Sequence, residues 1–336
     1  DPNYLQMLYE ILQISLTQLS PHEDPAQQIP LTSEIDAVPA PKLIACVLQH
    51  CRGRVDEWVE PYLLLMVQRL RMAEKNHFKC LLITIMANAL YYNAPITLQV
   101  LHKHGMLQEM FSVWFQLLYK ADAKGNRTLF SRAPEKKICA MGLTSLLQLP
   151  AEALPLDLQA GMTQVLSGAM TLLVDLKKVE DAEKEERDGD DDDEEAEEDG
   201  DADEEDDDDL DDETAIPEAL ANMKAKELHF PGAGGRFGND SDDDDWDEYD
   251  DAESAIDAID PYIGFCETIT SIQHNDPARF QVLTAGFEIQ QQSVYHSLLQ
   301  LAEQKRQEQL AEAAKEAQQQ AQVVGQMAPP PLPPLQ

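Results

Sequence analysis

Two runs of carboxylates constrain what this chain can fold into. Residues 188–213 read DGDDDDEEAEEDGDADEEDDDDLDDE, with 21 acids in 26 positions and no base. Residues 240–253 (DSDDDDWDEYDDAE) add 10 acids in 14. These 31 carboxylates supply most of a net charge of −38. Neighbouring charges on an extended chain lie about 3.5 Å apart, inside a screening length of about 8 Å at physiological salt. They repel one another and have almost no apolar surface to bury. Residues 181–256 are therefore expected to form a disordered, solvated acidic loop. Such a loop serves either as a solubilising spacer or as a polyanion that holds a basic partner.

The rest of the chain is rich in Leu, Ala, Met and Gln, and its apolar residues recur at helical spacing. Residues 3–19 place Leu5, Leu8, Leu12 and Leu16 on one face. A Pro-rich connector, 21–41, carries a short helix near Ser33, and 42–51 is the next helix, closed by Gly53. In 55–74, Trp58, Tyr62, Leu65, Met66 and Leu70 share a buried stripe, with the helix starting near Glu60 and Pro61 in its first turn. Asn76 is placed to cap 77–92, which Asn93 and Pro95 stop. Helices follow at 96–104, ended by Gly105, then at 106–120, 135–149 and 155–179.

After the acid, Asp260-Pro261 and Asp276-Pro277 each pair an N-cap Asp with Pro at the first helical position. Residues 302–336 read as a flexible Gln/Ala- and Pro-rich tail, helical in composition at first but without a core face, and PPII-like from Gln326. No segment alternates as a strand does. The expected architecture is all-α: a HEAT-like α-solenoid of antiparallel helix pairs. Its parts are repeats at 1–180, the loop at 181–256, a final pair at 257–301 docked on 155–179, and the tail. The chain opens inside helical pattern at Asp1 rather than at a Met, so further sequence is expected before it.

Much chemistry is set aside at this level. Five scattered cysteines, Cys46, Cys51, Cys80, Cys139 and Cys266, read as mostly buried free thiols in a reducing compartment. No apolar run reaches membrane-spanning length, and no signal peptide is recognisable. Cys46, His50 and Cys51 lack a fourth metal ligand. His102 and His104 suit the negative end of a helix. Gly232, Gly234, Gly235 and Gly238 miss the dinucleotide spacing. Nothing assembles a nucleophile with a base, so no enzyme, metal or cofactor is expected. Net acidity disfavours direct binding to a nucleic-acid backbone.

The candidate site is the acid itself. For basic partners the candidate residues are Asp190, Asp191, Asp192, Asp193, Glu194, Glu195, Asp206, Asp207, Asp208, Asp209, Asp242, Asp243, Asp244 and Asp245. Trp246 and Tyr249, set among acids, either stack on a partner's Arg or Lys or pin the loop to its own solenoid. Ser241, followed by four Asp, is a candidate phosphosite. A weaker possibility has the loop occupying a basic groove formed by Arg69, Arg71, Arg132, Lys136 and Lys137.

Five stretches carry a family resemblance: APKL at 40–43, QHCRGRVDEWVEPY at 49–62, KCLLITIMANALYYN at 79–93, KKICAMGLTSLLQL at 136–149, and DPYIGFCETITSIQHNDPARFQVL at 260–283. Their order, with an acidic insertion before the last, resembles the C-terminal part of importin-β-like nuclear import receptors (karyopherins) of the importin seven and eight type and their plant relatives. The resemblance ends near residue 301. It implies HEAT repeats and basic cargo such as ribosomal proteins and histones. It also implies contact with phenylalanine-glycine nucleoporins, Ran-GTP binding mainly through N-terminal repeats, and shuttling between cytoplasm and nucleus. The alternative is an acidic scaffold or chaperone for basic proteins that does not cross the pore.

Overall fold

The computed structural model describes residues 2–22, 24, 28–120, 129–190 and 254–327, with residues 2, 186–190 and 316–327 described by backbone alone. The fold is an all-α, HEAT-like solenoid. Among the described residues every regular element is helical, and the one β-type pairing is an isolated bridge between Leu19 and Pro30. The helices are α1 (Pro2–Thr17), α2 (Glu34–Ala37), α3 (Pro39–His50), α4 (Asp56–Leu70), α5 (Asn76–Lys103), α6 (Leu107–Tyr119), α7 (Ala133–Leu147), α8 (Leu156–Gln159), α9 (Met162–Asp190), α10 (Pro261–Asn275), α11 (Pro277–Thr284) and α12 (Ile289–Met327).

Contacts run along the sequence. Helix α1 packs on α3 and α4, both of these pack on α5, α5 on α7, and α7 on α9. Past the acidic segment, α10 lies on α7 and α12, while α11 and α12 lie on α9. Each helix buries its apolar stripe against chain neighbours, which is how a stack of helical hairpins builds a continuous core. Helix α5 is the centre of that core. It is long and apolar enough to cross a membrane by length and composition, but 78% of its apolar stretch is buried among the other helices. Leu82, Ile83, Ile85, Met86 and Leu90 are fully buried there, each contributing roughly 1.5–3 kcal/mol of burial.

Two glycines fix how the helices end and cross. Gly105 has φ +63°. The Gly105 amide donates to the His102 carbonyl at 3.0 Å and the Met106 amide to Leu101 at 2.8 Å, closing α5 with a Schellman pattern. Gly142 sits where α7 meets α5: a Cβ there would lie 2.8 Å from the Ala87 carbonyl oxygen. The absence of a side chain lets the two backbones touch.

Several boundaries differ from the sequence reading. Helix α4 starts at Asp56, so Pro61 lies in its second turn and removes one interior hydrogen bond. The early start is tied down from afar, since the Tyr92 hydroxyl donates to Asp56 and accepts from the Val55 amide. Asn76 is the first residue of α5 and does not cap it. Instead the Glu34 carboxylate accepts from the Glu74 and Lys75 amides at 2.6 and 3.0 Å.

The stop expected at Asn93 and Pro95 is a break inside α5. Asn93 leaves helical geometry (φ −160°, ψ 92°), and its side chain accepts from the Ile96 amide. Helix α9 continues to Asp190, ten residues beyond the expected end of the repeats at 180. Lys177, Lys178, Lys184 and Arg187 intersperse its acids, so repulsion is not one-signed until 188. Helix α12 likewise runs to Met327 through the stretch expected as a flexible tail, because Gln, Ala, Glu and Lys are strong helix formers.

Among the cysteines, Cys80 and Cys139 are buried, Cys51 and Cys266 are half-buried and Cys46 is exposed, all unbridged. Burial pushes the Cys139 thiol pKa well up.

Candidate functional site: the root of the acidic segment

Of the acidic candidates, Asp190 is the last residue of α9. The others, together with Ser241, Trp246 and Tyr249, lie outside the described residues. The structure does describe how the segment is attached at each end.

Entry is along α9. Glu180 on that helix accepts from the Tyr262 hydroxyl of α10 and from the Lys305 ammonium of α12, both at 3.2 Å on the same oxygen. Lys305 also lies 3.7 Å from Asp260, which caps α10 by accepting from the Ile263 amide at 2.9 Å. One ammonium therefore holds the helix that leads into the acid and the turn that leaves it. Lys305 sits 4.6 Å from the centre of the Tyr262 ring as well. Burial, and then the Glu180 charge, pushes the Tyr262 hydroxyl pKa far up, so it stays a donor.

Return is along a turn at residues 254–257. Ile256 is buried, 3% exposed. Lys137 of α7 donates to the Asp257 carbonyl at 3.0 Å. Burial lowers the Lys137 pKa, while Asp257, Glu180 and Asp260 oppose that shift. The Ser254 hydroxyl donates to Gln49 of α3 at 2.7 Å, and Gln49 in turn donates to Asn88 of α5 at 2.7 Å. The returning strand is thus tied to α3 and α7, and through Gln49 to α5.

The cations of the basic-groove expectation have partners of their own. Arg69 is 1% exposed, donates to the Thr32 carbonyl at 3.0 Å and faces the Phe78 ring. Arg71 is held by Glu109 through two hydrogen bonds of 2.8 and 2.6 Å. Lys136 is buried and donates to the Ser131 carbonyl, and Lys137 serves the return turn. These four cations are already engaged within the solenoid. Arg132 is the N-cap residue of α7.

What sequence reasoning missed lies one helical turn from Gln49 and Asn88. The break at Asn93 opens a cleft of about 480 Å³ between α5, α7 and the start of α10. Tyr91, Leu90, Pro95, Met141, Leu149 and Phe265 give it an apolar lining. Arg52 stands at its rim, its guanidinium 4.3 Å from the Tyr91 ring centre and bonded to the Tyr91 carbonyl at 3.1 Å. Among the described residues no His, Cys, Asp or Glu cluster is arranged to hold a metal ion.

The comparisons with known proteins agree on one group. The chain is 40% identical over 187 residues to an importin beta-like SAD2 homolog of Arabidopsis thaliana, a match covering 55% of this chain and 17% of that protein. The relatives that the chain matches are importin-β-like proteins. Also similar are a probable importin-7 homolog of Dictyostelium discoideum, 27% identical over 164 residues (46% of this chain, 14% of that one), and importin-8 of Danio rerio, 23% identical over 181 residues (53% and 16%). The matches thus span about a sixth of the length of these relatives. No family model matches the chain, and no solved structure matches it.

Proposed function

We propose that this chain is the C-terminal portion of a nuclear import receptor that carries basic protein cargo, with ribosomal proteins and histones as the cargo classes. In this reading the acidic segment supplies electrostatic capture. The observation that supports it most is the root just described. Glu180 and Asp260, one on each side of two runs that total 31 carboxylates, are held by Lys305 on a helical solenoid akin to importin-β-like proteins. A polyanion fixed at both ends keeps its charge close to the scaffold. It raises the local concentration of a basic partner and speeds encounter more than it slows release.

Weak contact with phenylalanine-glycine nucleoporins and release by Ran-GTP belong to the same reading, as does shuttling between cytoplasm and nucleus. Ran-GTP acts mainly on repeats N-terminal to these. Binding is protein to protein, without nucleic acid, membrane insertion, cofactor or reaction.

The test is the association rate of a histone or basic ribosomal protein with the chain, with and without residues 188–213, across a salt series. Deletion is expected to slow association by about tenfold or more at low salt, with a smaller effect as salt rises. An unchanged rate removes the capture mechanism. Failure of the full-length parent to enter nuclei of permeabilised cells, with or without cargo, replaces transport by an acidic scaffold.

A further inference from the structure

We infer that the cleft between α5, α7 and α10 is the docking site for this chain's own second acidic run, with Trp246 as the side chain that enters it. Three independent features point to this occupant. The first is shape and chemistry. A cleft of about 480 Å³ has an apolar and aromatic wall of Leu90, Tyr91, Pro95, Met141, Leu149 and Phe265 beside polar Asn93, Thr144 and Gln148, and it is large enough to admit a flat, amphipathic side chain such as an indole. Trp246 is the one tryptophan outside the described residues, since Trp58 and Trp114 are already buried in the core.

The second is tether length. Ser254 is bonded to Gln49, which is bonded to Asn88. Tyr91, at the mouth of the cleft, follows Asn88 by three residues, about 4.5 Å along α5, and Arg52, in the turn after α3, is bonded to the Tyr91 carbonyl. Trp246 precedes Ser254 by eight residues, a span of at most about 28 Å. The cleft is therefore within reach of this run without disturbing the return turn.

The third is charge. Trp246 is flanked by Asp242–Asp245 on one side and by Asp247 and Glu248 on the other. Arg52 and Arg54 are exposed, flank Gly53, and meet no carboxylate among the described residues. The acid on the opposite rim, Asp260, is already engaged by Lys305 and by its own helix cap. A docked Trp246 thus brings its neighbouring carboxylates to two available guanidinium groups. The longer run, 188–213, has no aromatic residue and stays outside this contact. The inference does not depend on the transport reading, because it concerns the isolated chain.

The experiment is fluorescence of the whole chain. The Trp246 component is the difference between the emission of the unaltered protein and that of W246F. It is expected to be blue-shifted and shielded from acrylamide. Two substitutions should release it. R52E reverses the rim charge at an exposed position. G264L fills the cleft from α10, where an added Cβ meets nothing within 4 Å, and leucine has the better helix propensity. Either change should raise the quenching constant of the Trp246 component several-fold while helical circular dichroism is unchanged. A red-shifted, freely quenched Trp246 in the unaltered chain overturns the inference. So does a shielded Trp246 that neither R52E nor G264L exposes, since it then docks elsewhere.

Discussion

Lys305 on α12 donates to Glu180 on α9 at 3.2 Å, although 125 residues separate them in sequence. The pair links the helix entering the acidic segment to a helix lying beyond it. The two side chains are 25% and 33% exposed, so water screens the pair, and its coupling in a double-mutant cycle with E180Q should be about 0.5–1 kcal/mol. K305A also loses the face contact with Tyr262 and should cost roughly 1–2 kcal/mol in total. K305M keeps the aliphatic stem over the ring and should cost less. Denaturant melts of the four variants check this, and zero coupling would mean the contact does not hold the root.

At the α5–α7 crossing backbone meets backbone. G142A places a Cβ 2.8 Å from the Ala87 carbonyl oxygen. Backbone cannot swing aside as a side chain can, so G142A should destabilise by about 1–3 kcal/mol despite its better helix propensity. G161A, where the nearest such atom is 3.5 Å away, is the control and should be near neutral. Thermal melts that rank the two in the opposite order would reject this crossing.

How much of this was legible in the sequence follows the range of each signal. Caps that a residue supplies to its own helix were readable. Asp260 and Asp276 bond the amides three residues on, and Gly105 closes α5. Signals that cross between helices were not readable. The start of α4 depends on Tyr92, the turn entering α5 on Glu34, and the root of the acidic segment on Lys305. The cleft was half visible. Asn93 and Pro95 mark a stop, which is the local event, but the wall it opens exists only once α7 and α10 pack beside it. The acid residues themselves were easy to name because their chemistry is compositional and owes nothing to the fold.

Acid should loosen the stack through two surface carboxyls. The Arg71 hydrogen bonds hold the Glu109 carboxyl below its ordinary pKa, and bonds from Lys103 and then His104 do the same for Glu60. A carboxyl depressed in the folded state contributes stability above its unfolded pKa of about 4.3, and that contribution is lost as pH falls through the folded value. The denaturation midpoint should therefore drop as pH is lowered from about 5 toward about 3. The double variant E60Q/E109Q should show a flatter profile over that window. An identical slope in the two proteins would show that these pairs do not contribute.

Electrostatic capture by the long acidic run makes a demand that a sequence-specific epitope does not. Attraction from a solvated polyanion depends on how many charges it carries and scarcely on their order. Shuffling residues 188–213 while keeping all 21 acids should leave the association rate of a basic ribosomal protein within about twofold. Changing the same acids to Asn and Gln should slow association by about tenfold or more at low salt, with the dissociation rate less affected. Both variants leave Glu180, Lys305 and the return turn untouched, so the solenoid melts should coincide. Stopped-flow mixing across a salt series separates the cases. If the shuffled segment loses the rate as fully as the neutral one, a defined binding motif replaces diffuse charge as the cause.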